Sequence, residues 1–86
     1  MLAAKLTALK GIGTVMSEKL NAAGITSAEE LTRIGSKAAF ARIKKVHPRA
    51  CLVHLYTLQA AIDGVDIALL PVTVKQDLKA FSDSLK

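Results

Sequence analysis

The chain has 86 residues, of which 51% are hydrophobic and only 3% aromatic, and its formal net charge at pH 7 is +5. This length excludes a multidomain architecture, so we predict one domain over residues 1–86. The single cysteine, Cys51, excludes an internal disulfide, and no stretch approaches the ~20 apolar residues of a membrane span. Scarce proline and abundant helix-forming residues favour an all-α fold with an aliphatic core. A buried thiol in the reducing cytoplasm is the expected setting for the cysteine.

The first element along the chain is a tight turn between two helices. Gly11 and Gly13 flank one apolar residue, and glycine tolerates the positive φ that such a turn requires. Apolar residues recur at helical spacing on both sides, which predicts helices over about 2–9 and 14–23. Thr14 is the expected N-cap of the second helix.

A capping box and a glycine organise the next segment. Ser27 and Glu30 can each accept a hydrogen bond from the other's backbone N–H, which predicts a helix over about 28–34. Gly35 is expected to end that helix, and a further helix is expected over about 37–46. A glycine therefore precedes a helix for a second time, which we interpret as a degenerate copy of the first turn.

Two further helices complete the predicted domain. Pro48 suits the first turn of a helix over about 48–62. The nearly continuous apolar sequence of that helix predicts either a central position or a contact with a partner. A connector with a short helical turn then leads to a last helix over about 73–85. Its apolar residues form one face: Val74, Leu78, Phe81 and Leu85. The prediction is therefore a compact all-α domain of five to six helices.

The segment Leu9-x-Gly11-Ile12-Gly13-x-x-x-Ser17-x-x-Leu20 resembles a helix-hairpin-helix motif. Most of the chain also resembles the C-terminal domain of TfoX-type competence regulators, in residues 9–13, 20–25, 30–31, 34–35, 55–64 and 70–71. The resemblance implies a SAM-like fold that contains a helix-hairpin-helix and a degenerate second hairpin. It also implies an association with the regulation of bacterial DNA uptake. Ile67 stands where this family often has a tryptophan, which implies a local change in packing.

Two groups of residues are candidates for binding the phosphates of nucleic acid. At the glycine turn, the following helix would present unpaired backbone N–H groups and the positive end of its dipole. This first group comprises Lys10, Gly11, Gly13, Thr14 and Lys19. The second group lies in residues 36–49, which carry a charge of +5 and hold Lys37, Arg42, Lys44, Lys45 and Arg49; its candidate contacts are Lys37, Lys44 and Lys45. Phosphate contacts carry no sequence information. The alternatives are a purely structural turn and a solvated basic helix face.

Other classes of function leave weaker signals in the sequence. An edge of the fifth predicted helix could bind a protein partner or a second copy of the chain, through Leu52, Val53, Tyr56 and Gln59. No nucleophile–base pair or convergent carboxylates indicate an enzyme. His47 and His54 lack further ligands, so neither a metal nor a cofactor is expected.

The sequence thus predicts a small non-enzymatic helix-hairpin-helix module that binds nucleic acid weakly and without sequence preference in a regulatory setting. A protein-interaction or dimerisation module without DNA contact is the alternative. We expect no membrane partner.

Overall fold

Residues 5–85, the part of the chain that the computed structural model describes, fold into helices without a strand. Four are α-helices: α1 (Thr14–Ala22), α2 (Ala28–Val46), α3 (Leu52–Asp63) and α4 (Val72–Ser84). Two short 3-10 turns, Leu6–Ala8 and Ile67–Leu69, precede α1 and α4. The predicted all-α class is confirmed, whereas the predicted count of five to six helices is wrong for the described residues.

The central element is α3, which packs against α2, α4 and the second 3-10 turn. Its Leu55 and Leu58 are fully buried, as is Phe40 of α2. Burying an aliphatic side chain of this size contributes roughly 1.5–3 kcal/mol. This burial explains why a helix with so few polar residues is stable in a small domain. It also confirms the prediction that this helix is central, the first of the two alternatives that its apolar sequence left open.

The chain before α1 is less helical than predicted. The described part of the predicted helix 2–9 is the 3-10 turn, which gives way to extended backbone at Leu9, and residues 1–4 lie outside the described residues. The N-cap of α1 is Gly13, and Thr14 is its first helical residue. The prediction that Thr14 caps the helix is therefore wrong by one position. At the other end, Gly24 has a φ of +85° and ends the helix in the left-handed conformation, as predicted.

A kink at Gly35 divides α2. This residue has φ 86° and ψ 164°, a conformation that only glycine adopts readily. Because the backbone at Gly35 is not helical, α2 consists of two helical segments that meet at the kink, and the predicted break lies at the correct residue. The next residue, Ser36, is buried, and its hydroxyl donates to Gln59 Oε1 of α3 at 2.6 Å. The kink is thereby fixed against the central helix.

Only half of the predicted capping box forms at the start of α2. The backbone N–H of Glu30 donates to the hydroxyl of Ser27 at 3.1 Å. The carboxylate does not return the bond, because Glu30 Oε1 is buried without a hydrogen-bond partner among residues 5–85. The other carboxylate oxygen lies 3.9 Å from Arg33.

The central helix begins later than predicted. Pro48 lies in a turn, and Cys51 is the N-cap of α3. The ammonium of Lys44 donates to the carbonyl oxygens of Pro48 at 3.1 Å and Ala50 at 2.8 Å. These contacts hold residues 48–50 in the turn. Because the helix starts at the surface, Cys51 is exposed rather than buried as predicted.

Candidate nucleic-acid interface

The start of α1 is open to solvent. The first helical hydrogen bond runs from the N–H of Ser17 to the carbonyl oxygen of Gly13, at 2.9 Å. The N–H groups of residues 14–16 precede that bond and therefore have no partner within the helix. No side chain caps this end, and Gly13, Thr14 and Val15 are all exposed. Backbone donors and the positive end of the helix dipole thus face solvent together.

The glycine turn (residues 10–13) precedes this helix end directly and begins with Lys10. Gly11 has a φ of +84°, so the turn depends on glycine here. A Cβ at Gly11 would lie 3.9 Å from Thr57 Cγ2, an ordinary contact with α3. Lys10 Nζ lies 3.4 Å from Asp66 Oδ1, and both side chains are more than half exposed. The turn therefore carries a cation whose partner comes from the segment after α3.

A recess of about 480 Å³ separates the glycine turn from that segment. Lys10 and Gly11 line one side, and Thr57 and Ala60 of α3 contribute to the lining as well. Residues 65–68 line the remainder, and Ile67, the residue predicted to alter local packing, is among them. The pair of Lys10 and Asp66 thus joins two segments that both line this recess.

Lys19, the last member of the first group, contacts α3. It is half-buried, and its Nζ lies 2.8 Å from His54 Nε2. Burial, and then the charge of Lys19, lower the pKa of His54 below its ordinary value of 6.5. The lowered pKa favours the neutral ring, whose Nδ1 lies 3.2 Å from the backbone nitrogen of Cys51. Of this first group, Gly11, Gly13 and Thr14 lie in the glycine turn and at the start of α1, Lys10 pairs with Asp66, and Lys19 contacts the central helix.

The second group of lysines does not form one uniform row. Lys37 Nζ lies 2.6 Å from Asp77 Oδ2 and 5.8 Å from the centre of the Phe81 ring, both on α4. Lys37 also lines a second recess of about 520 Å³ that shares no lining residue with the first. Lys44 is engaged with the turn before α3, as described above, and Lys45 is exposed.

The predicted protein-binding edge of α3 is largely packed. Val53 is 60% exposed, whereas Leu52 and Tyr56 pack against the core. Gln59 accepts from Ser36 and donates to Asp63. Larger apolar exposure lies before and at the start of α4, where Leu69 is 68% and Val72 is 67% exposed, and the sequence analysis did not single out either residue.

The described residues form neither a metal-binding cluster nor a membrane-spanning helix. Within residues 5–85, no three His, Cys, Asp or Glu side chains are grouped so that they could hold a metal ion. No helix in this range has the length and apolar character needed to span a bilayer.

Comparisons with known proteins give a family and a fold. The family model of the TfoX C-terminal domain matches residues 2–82. A triclinic crystal structure of an uncharacterised Listeria monocytogenes protein is 39% identical, with a TM-score of 0.92 over 95% of this chain and 93% of that chain. A tetragonal crystal structure of a Listeria monocytogenes protein of unknown function is 38% identical, with a TM-score of 0.91 over 95% of this chain and 100% of that chain. No curated protein matches the chain.

Proposed function

Because the chain belongs to the TfoX C-terminal domain family, we propose that it is a non-enzymatic, competence-related regulatory module that binds nucleic acid phosphates weakly and without sequence preference. The proposed contact is the glycine turn with the first turn of α1. In this proposal they form the hairpin of a helix-hairpin-helix within a SAM-like fold, and the kink at Gly35 is its degenerate copy. Lys19, Lys37, Lys44 and Lys45 add positive potential that attracts the polyanion.

The open start of α1 is the observation that supports this proposal most directly. A helix N-terminus with free N–H groups is a recurrent binding geometry for phosphate. Here the N-cap is a glycine without a side chain, and the first helical residues are exposed. A phosphate could therefore approach the backbone closely, and Lys10 lies three residues before the N-cap.

The ion pairs at the lysines do not oppose this function strongly. Lys10 and Asp66 are 55% and 62% exposed, and ion pairs at such sites contribute only ~0–1 kcal/mol. A phosphate that also accepts backbone hydrogen bonds can replace the carboxylate at little loss of stability. Binding should be weak, because part of the positive charge already has a partner.

Replacement of the N-cap glycine tests the proposal. Gly13 has φ −94°, and a Cβ there meets no atom within 4 Å, so side chains are tolerated. In Gly13→Asp, the carboxylate should cap α1 and raise the free energy of unfolding by about 0.5 kcal/mol. The same carboxylate should repel phosphate, so we expect the affinity for duplex DNA in a titration at low salt to fall roughly tenfold. Higher stability with weaker binding separates this effect from damage to the fold.

Two further variants serve as controls. Gly13→Ala leaves the N–H groups open and should bind DNA within about twofold of the wild type. Gly13→Asn caps the helix without a charge and should give an intermediate affinity. Equal binding by the aspartate variant and the wild type, or no binding by the wild type at low salt, would contradict the proposed function.

A protein-interaction or dimerisation module is the second candidate function. The exposure of Leu69 and Val72, three residues apart, favours it. The edge of α3 proposed from sequence would add Val53, and Leu52, Tyr56 and Gln59 could contribute only where they remain accessible. Sedimentation separates this candidate from the first, as argued below.

A further inference from the structure

We infer that Asp66 is a built-in competitor for the phosphate at Lys10 and that it holds the affinity for nucleic acid below what the glycine turn alone would give. The inference rests on the proposed function, because it concerns how strongly the same site binds. The observation that supports it is the distance of 3.4 Å between Lys10 Nζ and Asp66 Oδ1. A carboxylate at that distance occupies the cation that a phosphate oxygen would approach.

The backbone fixes where this carboxylate lies. Asp66 is the N-cap of the 3-10 turn Ile67–Leu69, and its carbonyl oxygen accepts from the N–H of Leu69 at 2.9 Å. That turn packs against α3. The side chain of Asp66 makes no capping hydrogen bond within its own turn, which leaves it directed to Lys10. The competitor is therefore held at the site by the fold.

The negative charge of Asp66 lowers the affinity of the site for phosphate. A phosphate that approaches Lys10 Nζ would lie near the carboxylate of Asp66, which is 3.4 Å from that atom, and would be repelled by it. Such a repulsion across solvent, at a few ångströms, changes affinity by roughly fivefold. Removing the carboxylate without changing its size should therefore tighten binding by about that factor at low salt.

The competition also acts on the salt dependence. Each lysine that neutralises a phosphate releases a cation from DNA, which adds about 0.9 to the slope of log affinity against log salt concentration. In the wild type, Lys10 is shared between Asp66 and the phosphate. While Lys10 is paired with Asp66 it neutralises no phosphate, so it contributes less than a full charge to the slope. Without the carboxylate, Lys10 should contribute the full value of about 0.9 to the slope.

The test is a titration of duplex DNA at several salt concentrations with Asp66→Asn and Asp63→Asn. The two variants have the same net charge, but Asp63 pairs with Gln59 rather than Lys10. We expect Asp66→Asn to bind roughly fivefold more tightly at low salt and to steepen the slope by about 0.9. Asp63→Asn should show a smaller gain and little change in slope. Thermal melts check that both variants are folded.

A double variant shows whether the effect passes through Lys10. In the background of Lys10→Gln, the substitution Asp66→Asn should lose most of its effect on affinity and all of its effect on the slope. Tighter binding by Asp66→Asn than by the wild type and by Asp63→Asn supports the inference. If the wild type binds and the Asp66 and Asp63 variants behave alike, the inference is wrong and the proposed function stands. If neither the wild type nor Asp66→Asn binds at low salt, both are wrong.

Discussion

At the scale of single residues, His54 connects two helices through a contact that only its neutral form can make. Its Nε2 lies 2.8 Å from the ammonium of Lys19, so α1 is joined to α3. Burial, followed by the charge of Lys19, lowers the pKa of the ring. A protonated ring would set two positive charges against each other and offer no acceptor to the lysine.

This contact predicts how stability depends on pH. The unfolded chain protonates His54 near its ordinary pKa of 6.5, which is above the pKa in the folded state. The stabilisation that neutral His54 contributes to the free energy of unfolding is therefore complete above about pH 6.5. It declines as the pH falls below that value. Urea unfolding between about pH 5.5 and 8 should show this decline in the wild type.

The two histidines provide a matched pair of variants for that measurement. His54→Gln should flatten the decline, whereas His47→Gln, at an exposed position of the α2–α3 connection, should keep most of it, because the charge of His47 is the smallest cause of the lowered pKa of His54. An unchanged pH profile in the His54 variant would show that His54 does not carry the decline.

At the scale of elements, the kink at Gly35 is the feature that the fold depends on most directly. Its φ of 86° and ψ of 164° are strained for any residue with a Cβ, and a Cβ there meets no atom within 4 Å. The loss in Gly35→Ala is therefore conformational, and we expect the free energy of unfolding to fall by about 1–3 kcal/mol. Gly13→Ala, in extended backbone, should change it by less than about 0.5 kcal/mol in the same chemical denaturation experiment. Equal stability of the two variants would mean that α2 straightens without penalty.

The kink also shows how far local sequence predicts elements. A glycine between two segments with helical periodicity located the break, because that signal is local. The start of α3 was misplaced, because Cys51 rather than a residue near Pro48 is the N-cap, and it forms a capping box with His54. Lys44 of α2 also donates to the carbonyl groups of Pro48 and Ala50 in the preceding turn. Apolar periodicity reports neither a cysteine–histidine cap nor a contact from the neighbouring helix.

At the scale of the whole molecule, the candidate site was predictable only in its local part. The glycine turn and the open helix start follow from a few adjacent residues. The partners of its lysines, Asp66 and His54, come from segments distant in sequence that the packing of α3 brings near. No local pattern in the sequence indicates that Asp66 pairs with Lys10. The net charge of +5 therefore overstates the positive charge available to a phosphate.

The whole surface also decides between the two candidate functions. A stable dimer needs about 800 Å² from each copy, a large share of the 5211 Å² that this chain exposes. Exposed apolar residues in small numbers are ordinary on monomers.

We therefore expect sedimentation to show a monomer at micromolar concentrations, and Leu69→Ser/Val72→Ser to bind duplex DNA as the wild type does. The control is Val53→Ser, at an apolar residue of similar exposure on α3. A wild-type dimer that the double variant dissociates and the Val53 variant retains would favour the interaction module, because the apolar surface before α4 would then bury itself against a second copy.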